Sequence, residues 1–99
     1  MIEIPRRDTS RAVMFRLEDA TTGAALTGVV PSVMIAKDNG AYELPAGVVA
    51  EMSVAGLYAY WPSAEDVNDD GPLSISITAT GAAPIPVIHC RVVTPYGKR

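Results

Sequence analysis

The feature that most constrains the fold is the run from Leu73 to Thr80, in which apolar and hydroxyl residues alternate at every position. A period of two is typical of a β-strand, because successive side chains of a strand point to opposite faces of a sheet. We therefore expect the leucine, isoleucines and alanine of this run to face a core, and its serines and threonines to face solvent or a partner.

The same period recurs along the chain and predicts an all-β fold. Asn39-Gly40 favours a tight hairpin turn, since both residues tolerate positive φ, and turn-forming residues recur roughly every 8 to 12 positions. Only Ser63 to Asp66 resembles a helical turn, with Ser63 as its N-cap. We expect an immunoglobulin-like antiparallel β-sandwich of about seven strands. The expected strands lie near 13–17, 32–37, 41–44, 48–53, 57–61, 73–80 and 85–93.

Length and composition predict one domain. A chain of 99 residues, of which 19% are charged, can bury one modest core and is too apolar for disorder. We expect an N-terminal arm over residues 1–10, the sandwich over 11–93 and a C-terminal tail over 94–99. No apolar run is long enough to span a membrane, and the first residues lack the apolar core of a signal peptide. A single cysteine, Cys90, favours a reducing compartment.

Charge is distributed unevenly. Residues 1–16 carry four arginines and two acidic residues, whereas residues 17–90 carry nine acidic residues and one lysine, and the net charge is −3. An acidic chain without a basic stripe argues against nucleic-acid binding. Basic ends around an acidic middle favour contacts between copies of the chain or with an acidic neighbour. The residues expected to make these contacts are Arg6, Arg7, Arg11, Lys98 and Arg99.

His89 and Cys90 are the natural pair to test for catalysis. Adjacent strand residues point to opposite faces, whereas a nucleophile and its base must lie within hydrogen-bonding reach. We therefore expect Cys90 to be a small buried apolar residue. The sequence predicts neither an enzyme nor a cofactor.

The segment from Asp66 to Gly71 matches the first half of a calcium-binding loop, with Asp66, Asn68 and Asp70 as candidate oxygen ligands. The bidentate glutamate that closes such a loop is missing, because Ile77 stands at that position. Aspartate and asparagine also stabilise turns through their own backbone. We therefore predict a turn, and keep the three residues as the alternative candidates for binding an ion.

Tyr58 and Tyr60 are the residues most suited to a binding surface. They share one face of the predicted 57–61 strand, opposite Leu57 and Trp61. We expect Trp61 to anchor the core and the two tyrosines to form a partly buried rim or, if exposed, to bind protein or carbohydrate.

Several runs together resemble small immunoglobulin-like modules of tailed-bacteriophage virions. They are RAVMFRLEDATTGAALTG (11–28), PSVMIAKDNG (31–40), GLYAY (56–60), DVNDDG (66–71) and ITATGA (77–82), and the resemblance covers residues 11 to about 93. Such modules occur in baseplate and tail-fibre proteins and in small capsid or neck accessory proteins.

The resemblance implies a non-enzymatic virion protein, assembled in the bacterial cytoplasm. It would form a homo-oligomer or be present in several copies, and it would bind capsid, neck or tail subunits through edge strands and terminal arms. The alternative is an adhesion module that binds host-surface carbohydrate through Tyr58 and Tyr60. Neither role involves nucleic acid or a membrane.

Overall fold

The alternation of apolar and polar side chains gives rise to seven strands. The structure is a computed structural model that describes residues 2–94. The seven strands form a four-stranded sheet, in the order β1-β7-β6-β3, and a three-stranded sheet, in the order β2-β5-β4. The strands are β1 (Ile2–Pro5), β2 (Val13–Arg16), β3 (Ser32–Lys37), β4 (Val48–Glu51), β5 (Leu57–Trp61), β6 (Gly71–Thr78) and β7 (Ile88–Val93).

The core lies between the two sheets and confirms the prediction of an all-β sandwich. In β6, Leu73, Ile75 and Ile77 are buried while the serines between them are half-buried on the other face. Apolar residues from the inner faces of both sheets form one cluster, with Val33 and Ile35 from β3 and Phe15 from β2 among them. None of the described residues forms a helix with the length and apolar character that crossing a bilayer requires.

The N-terminal segment differs from the expected arm. Residues 2–5 form β1, which pairs with β7 in parallel, with Ile4 beside Val92. The sandwich is therefore not purely antiparallel. Ile4 is only 1% exposed, whereas Ile2 is 43% exposed. Two isoleucines flanking Glu3 were enough for a strand, and Pro5 is tolerated because β1 lies at the sheet edge, where a missing N–H costs little.

The hairpin after β3 forms, but its second strand does not. The Gly40 N–H bonds the Lys37 carbonyl at 2.8 Å, and Asp38 and Asn39 take the positive φ values of 52° and 60°. These values are those of a type I′ turn, in which both central residues have positive φ. The predicted strand over 41–44 is reduced to one bridge between Glu43 and Ile35, and Pro45 follows directly.

Three other strands are shorter than predicted, among them β2, which was expected over 13–17 and ends at Arg16. The strand β6 covers Gly71–Thr78 rather than the expected 73–80. The strand expected over 48–53 ends at Glu51, and the one expected over 85–93 begins at Ile88. Pro84 and Pro86 precede Ile88, and proline cannot donate a hydrogen bond to a neighbouring strand. The helical turn expected at Ser63 is a single turn, closed by the Asp66 N–H on the Ser63 carbonyl at 3.0 Å. Ser63 as its N-cap was wrong, because the Ser63 hydroxyl bonds none of the described residues and the Ser63 N–H instead donates to the Asp66 carboxylate.

The burial of Ile4 generates the first prediction. We expect Ile4→Ala to lower the free energy of unfolding by about 2 to 5 kcal/mol, because it leaves a cavity between the sheets. Urea denaturation followed by tryptophan fluorescence measures this change. The matched control is Ile2→Ala at the exposed start of the same strand, for which we expect less than about 1 kcal/mol. Equal effects of the two substitutions would show that β1 is not anchored in the core.

Candidate interaction surface and its supporting loops

Tyr58 and Tyr60, expected at a rim or on a binding surface, belong to the core. They are 0% and 1% exposed, because β5 is the middle strand of its sheet and their face is the inner one. The Tyr58 ring stacks on Phe15, with centroids 5.8 Å apart and planes 14° from parallel. Trp61 is half-buried on the other face, so the predicted core anchor was wrong. The tyrosine rings are not available to stack on a sugar.

Each tyrosine hydroxyl has a partner inside the fold. The Tyr58 hydroxyl donates to the Leu26 carbonyl at 2.9 Å, and the Tyr60 hydroxyl donates to Oδ2 of Asp66 at 2.6 Å. Burial, together with the hydrogen bond and the charge of Asp66, raises the pKa of Tyr60. The hydroxyl therefore stays protonated and acts as a permanent donor to the carboxylate.

Asp66 joins three segments of the chain. Its Oδ1 accepts the Ala46 N–H at 2.8 Å, and its Oδ2 accepts the N–H groups of Gly47 at 2.9 Å and Ser63 at 3.0 Å, in addition to the Tyr60 hydroxyl. Burial alone would raise the Asp66 pKa, but the four hydrogen bonds outweigh it and hold that pKa below its ordinary value. Asp66 is thus a buried, ionised carboxylate that fixes the loop before β4 against the end of β5.

Gly47 allows this close approach. A Cβ atom at this position would lie 2.1 Å from the Trp61 carbonyl oxygen and 2.9 Å from Oδ2 of Asp66. Since the nearest obstacle is backbone, no side chain can be accommodated without moving the loop. The sequence shows Gly47 as a turn residue but gives no sign of this contact.

The calcium-loop candidates do not converge on one point. The Asp66 carboxylate is bonded as described. Asn68 Oδ1 lies 3.4 Å from Lys37 Nζ, and Asp70 accepts a hydrogen bond from Thr94 Oγ1 at 2.5 Å and lies 3.6 Å from Arg6 Nη1. Within residues 2–94, no cluster of three or more acidic, histidine or cysteine residues is arranged to hold a metal ion. The spacing of the motif is present, but its oxygens serve separate parts of the fold.

His89 and Cys90 lie on opposite faces of β7, which confirms the predicted alternation. His89 is exposed, whereas Cys90 is 1% exposed. Burial raises the pKa of the Cys90 thiol to about 11. The thiol is therefore protonated at neutral pH, and the His89 imidazole lies on the other face of the strand.

The arginines predicted to contact partners are exposed and spread along the N-terminal segment. Arg6 lies near Asp70, and Arg11 Nε lies 3.2 Å from Asp8 Oδ2. Arg7 follows β1 with a φ of 64°, and its N–H bonds the Val67 carbonyl at 2.8 Å. Exposed ion pairs of this kind contribute little to stability. Lys98 and Arg99 lie outside the described residues.

Sequence reasoning missed a surface at the edge of the four-stranded sheet. Three large apolar side chains are exposed where the chain leads from β3 into β4: Tyr42 at 46%, Leu44 at 77% and Val48, the first residue of β4, at 64%. We call residues 42–48 the apolar edge segment. The available signal was Tyr42 and Leu44 alternating around Glu43, a strand pattern whose apolar face has no partner element in the sequence.

The backbone of this segment forms hydrogen bonds with β3 on one side only, and we call it half-paired. The Glu43 N–H and carbonyl both bond Ile35, at 2.8 and 2.9 Å. Successive residues of a strand turn their backbone groups to opposite sides, so those of Tyr42 and Leu44 point away from β3. They form no backbone hydrogen bond with any described residue. The same register places both side chains beside Ala36 and Met34, on the face turned away from the core.

Asp66 generates a second prediction. We expect Asp66→Asn to lower the free energy of unfolding by about 1 to 3 kcal/mol, because an amide cannot accept from all four donors and leaves at least one buried N–H unpaired. The exposed neighbour Asp69 provides the control, since Asp69→Asn should change stability by less than about 0.5 kcal/mol. Chemical denaturation at pH 7 measures both.

The pH dependence of the stability of wild type and of Asp66→Asn tests the charge of Asp66. Its folded-state pKa is lowered, so its contribution is complete above the unfolded-state pKa of about 4 and is lost as the pH falls through the folded-state value. The stability gap between wild type and Asp66→Asn should therefore narrow below about pH 4. A gap that is constant down to pH 2 would contradict an ionised Asp66.

Comparison with protein-family models, with curated proteins and with solved structures finds no match to this chain.

Proposed function

We propose that this chain is a non-enzymatic structural protein of a tailed-bacteriophage virion that binds capsid, neck or tail subunits through the apolar edge segment. The strand orders β2-β5-β4 and β3-β6-β7 correspond to the B-E-D and C-F-G orders of immunoglobulin domains. This correspondence supports an immunoglobulin-like module, the class that the sequence resembles.

The observation that carries the proposal is the apolar edge segment. Single exposed apolar residues are normal on protein surfaces, but Tyr42, Leu44 and Val48 are exposed within one stretch of seven residues. The backbone groups of Tyr42 and Leu44 lie in the same stretch and are open to an additional strand. Backbone hydrogen bonds and apolar side chains at an open sheet edge are the two requirements for binding by strand addition.

The burial of Ile4 changes how the protein would bind. Docking by a free N-terminal arm was the expectation from the sequence, but residues 2–5 are a strand of the sheet. We therefore assign the binding role to the sheet edge, with the exposed arginines that follow β1 as a secondary contact.

The test is complex formation with structural proteins encoded beside this chain. We expect its gene to lie among virion structural genes, and the purified chain to form a complex with at least one of their products. Leu44→Glu should weaken that complex at least about tenfold, which corresponds to 1.4 kcal/mol. Isothermal titration calorimetry measures the affinity.

The control is Val30→Glu, a substitution at a residue that is 89% exposed outside the apolar edge segment. It should leave the affinity unchanged. Binding to none of the neighbouring structural proteins, or equal losses with both substitutions, would contradict the proposed function.

A further inference from the structure

We propose that the apolar edge segment is a strand-addition site for a segment of another protein that has a basic residue between two apolar residues. This inference deepens the proposed function and rests on it for the biological setting. Its chemical basis is the charge of Glu43 between two apolar side chains at an open edge.

The register of an added strand determines what stands opposite each residue. In an antiparallel addition, the partner residues that bond the outward backbone groups of Tyr42 and Leu44 have side chains on the same outer face. Apolar side chains there would cover Tyr42 and Leu44. The residue between them would lie opposite Glu43, on the other face of the sheet.

The negative charge of Glu43 determines which charge is favoured on the central residue of the partner. The Glu43 side chain is exposed at the edge, and like charges directly opposite each other in a sheet are destabilising whereas opposite charges are favourable. The surrounding chain is also acidic, with nine acidic residues and one lysine between Leu17 and Cys90. A lysine or arginine opposite Glu43 is therefore favoured over a neutral or acidic residue.

The same geometry disfavours a second unmodified copy as the occupant. Two copies paired about a two-fold axis through this edge would exchange backbone bonds between Tyr42 of one and Leu44 of the other. Their two Glu43 residues would then face each other at a non-hydrogen-bonded position, where Cα atoms are only about 4.5 Å apart. A charge at a sheet edge that prevents self-pairing is a known protective device, and here it also specifies a different partner.

This arrangement permits a test that needs no knowledge of the natural partner. The variant Glu43→Lys carries Tyr42-Lys-Leu44, which is itself a basic residue between two apolar residues. Pairing with wild type would place lysine opposite Glu43. We expect the mixture to form heterodimers at least about tenfold more tightly than either protein associates alone, a ratio that corresponds to 1.4 kcal/mol. Sedimentation velocity at low ionic strength measures the association, which should weaken at high salt.

Two controls distinguish edge pairing from general attraction. Glu65→Lys produces the same change in net charge at an exposed residue outside the apolar edge segment, and its mixture with wild type should remain monomeric. Leu44→Glu in the wild-type partner should abolish association with Glu43→Lys. Circular dichroism of each variant confirms that it is folded.

A monomeric mixture of folded wild type and Glu43→Lys would overturn the inference, and so would pairing that survives Leu44→Glu. Failure of this pairing together with a specific complex with a virion protein would leave the proposed function standing and remove the assigned partner chemistry. Pairing in the mixture without any complex with a virion protein would support the assigned partner chemistry and contradict the proposed function.

Discussion

The hydrogen bonds of the Asp66 carboxylate are the interaction on which the arrangement of the loops around β4 and β5 depends. The carboxylate is buried and ionised, and it accepts hydrogen bonds from the Tyr60 hydroxyl and from the backbone of three residues in two separate loops. A buried charge is tolerated only when it is fully bonded, so the loops must be positioned together around it. The sheet strand β5, the turn after it and the loop before β4 therefore form one unit.

This unit also determines where the apolar edge segment lies. The segment is held at one end by the paired backbone of Glu43 and Ile35, and at the other by the bonds from Ala46 and Gly47 to Asp66. Tyr42 and Leu44 are thus presented from a backbone that is already fixed close to the geometry of a strand. Binding to such a surface loses less conformational entropy than ordering a free arm would.

The sequence predicted those parts of the fold that follow from local alternation. The β6 run and the opposite orientations of His89 and Cys90 follow from a period of two and needed no knowledge of distant residues. The faces of β5 were assigned wrongly because hydrophobicity favours burying Trp61, whereas the structure buries tyrosines whose hydroxyls find partners at Leu26 and Asp66. Those partners come from other segments, so the pattern within β5 contains no information about them.

The proposed interaction surface could not be found from the sequence for a related reason. The pattern over 41–44 predicted an ordinary strand, and only the three-dimensional register shows that no described residue pairs with one side of it. The calcium-like spacing of Asp66, Asn68 and Asp70 was misleading in the opposite way, because it describes ligand order along the chain while each side chain is bonded to a different part of the fold. In both cases the outcome depends on contacts between residues that are far apart in the sequence. The local pattern contains no information about those contacts.

Amide hydrogen exchange of the apolar edge segment in the free chain tests the account most directly. The backbone pattern predicts that the Glu43 amide, which is bonded to Ile35, exchanges slowly, while the amides of Tyr42 and Leu44 on either side exchange close to the rates of an unprotected chain. Slow exchange at all three positions would mean that the edge is already covered. Fast exchange at all three would mean that it is not held as a strand, and either result would contradict a half-paired edge prepared for a partner.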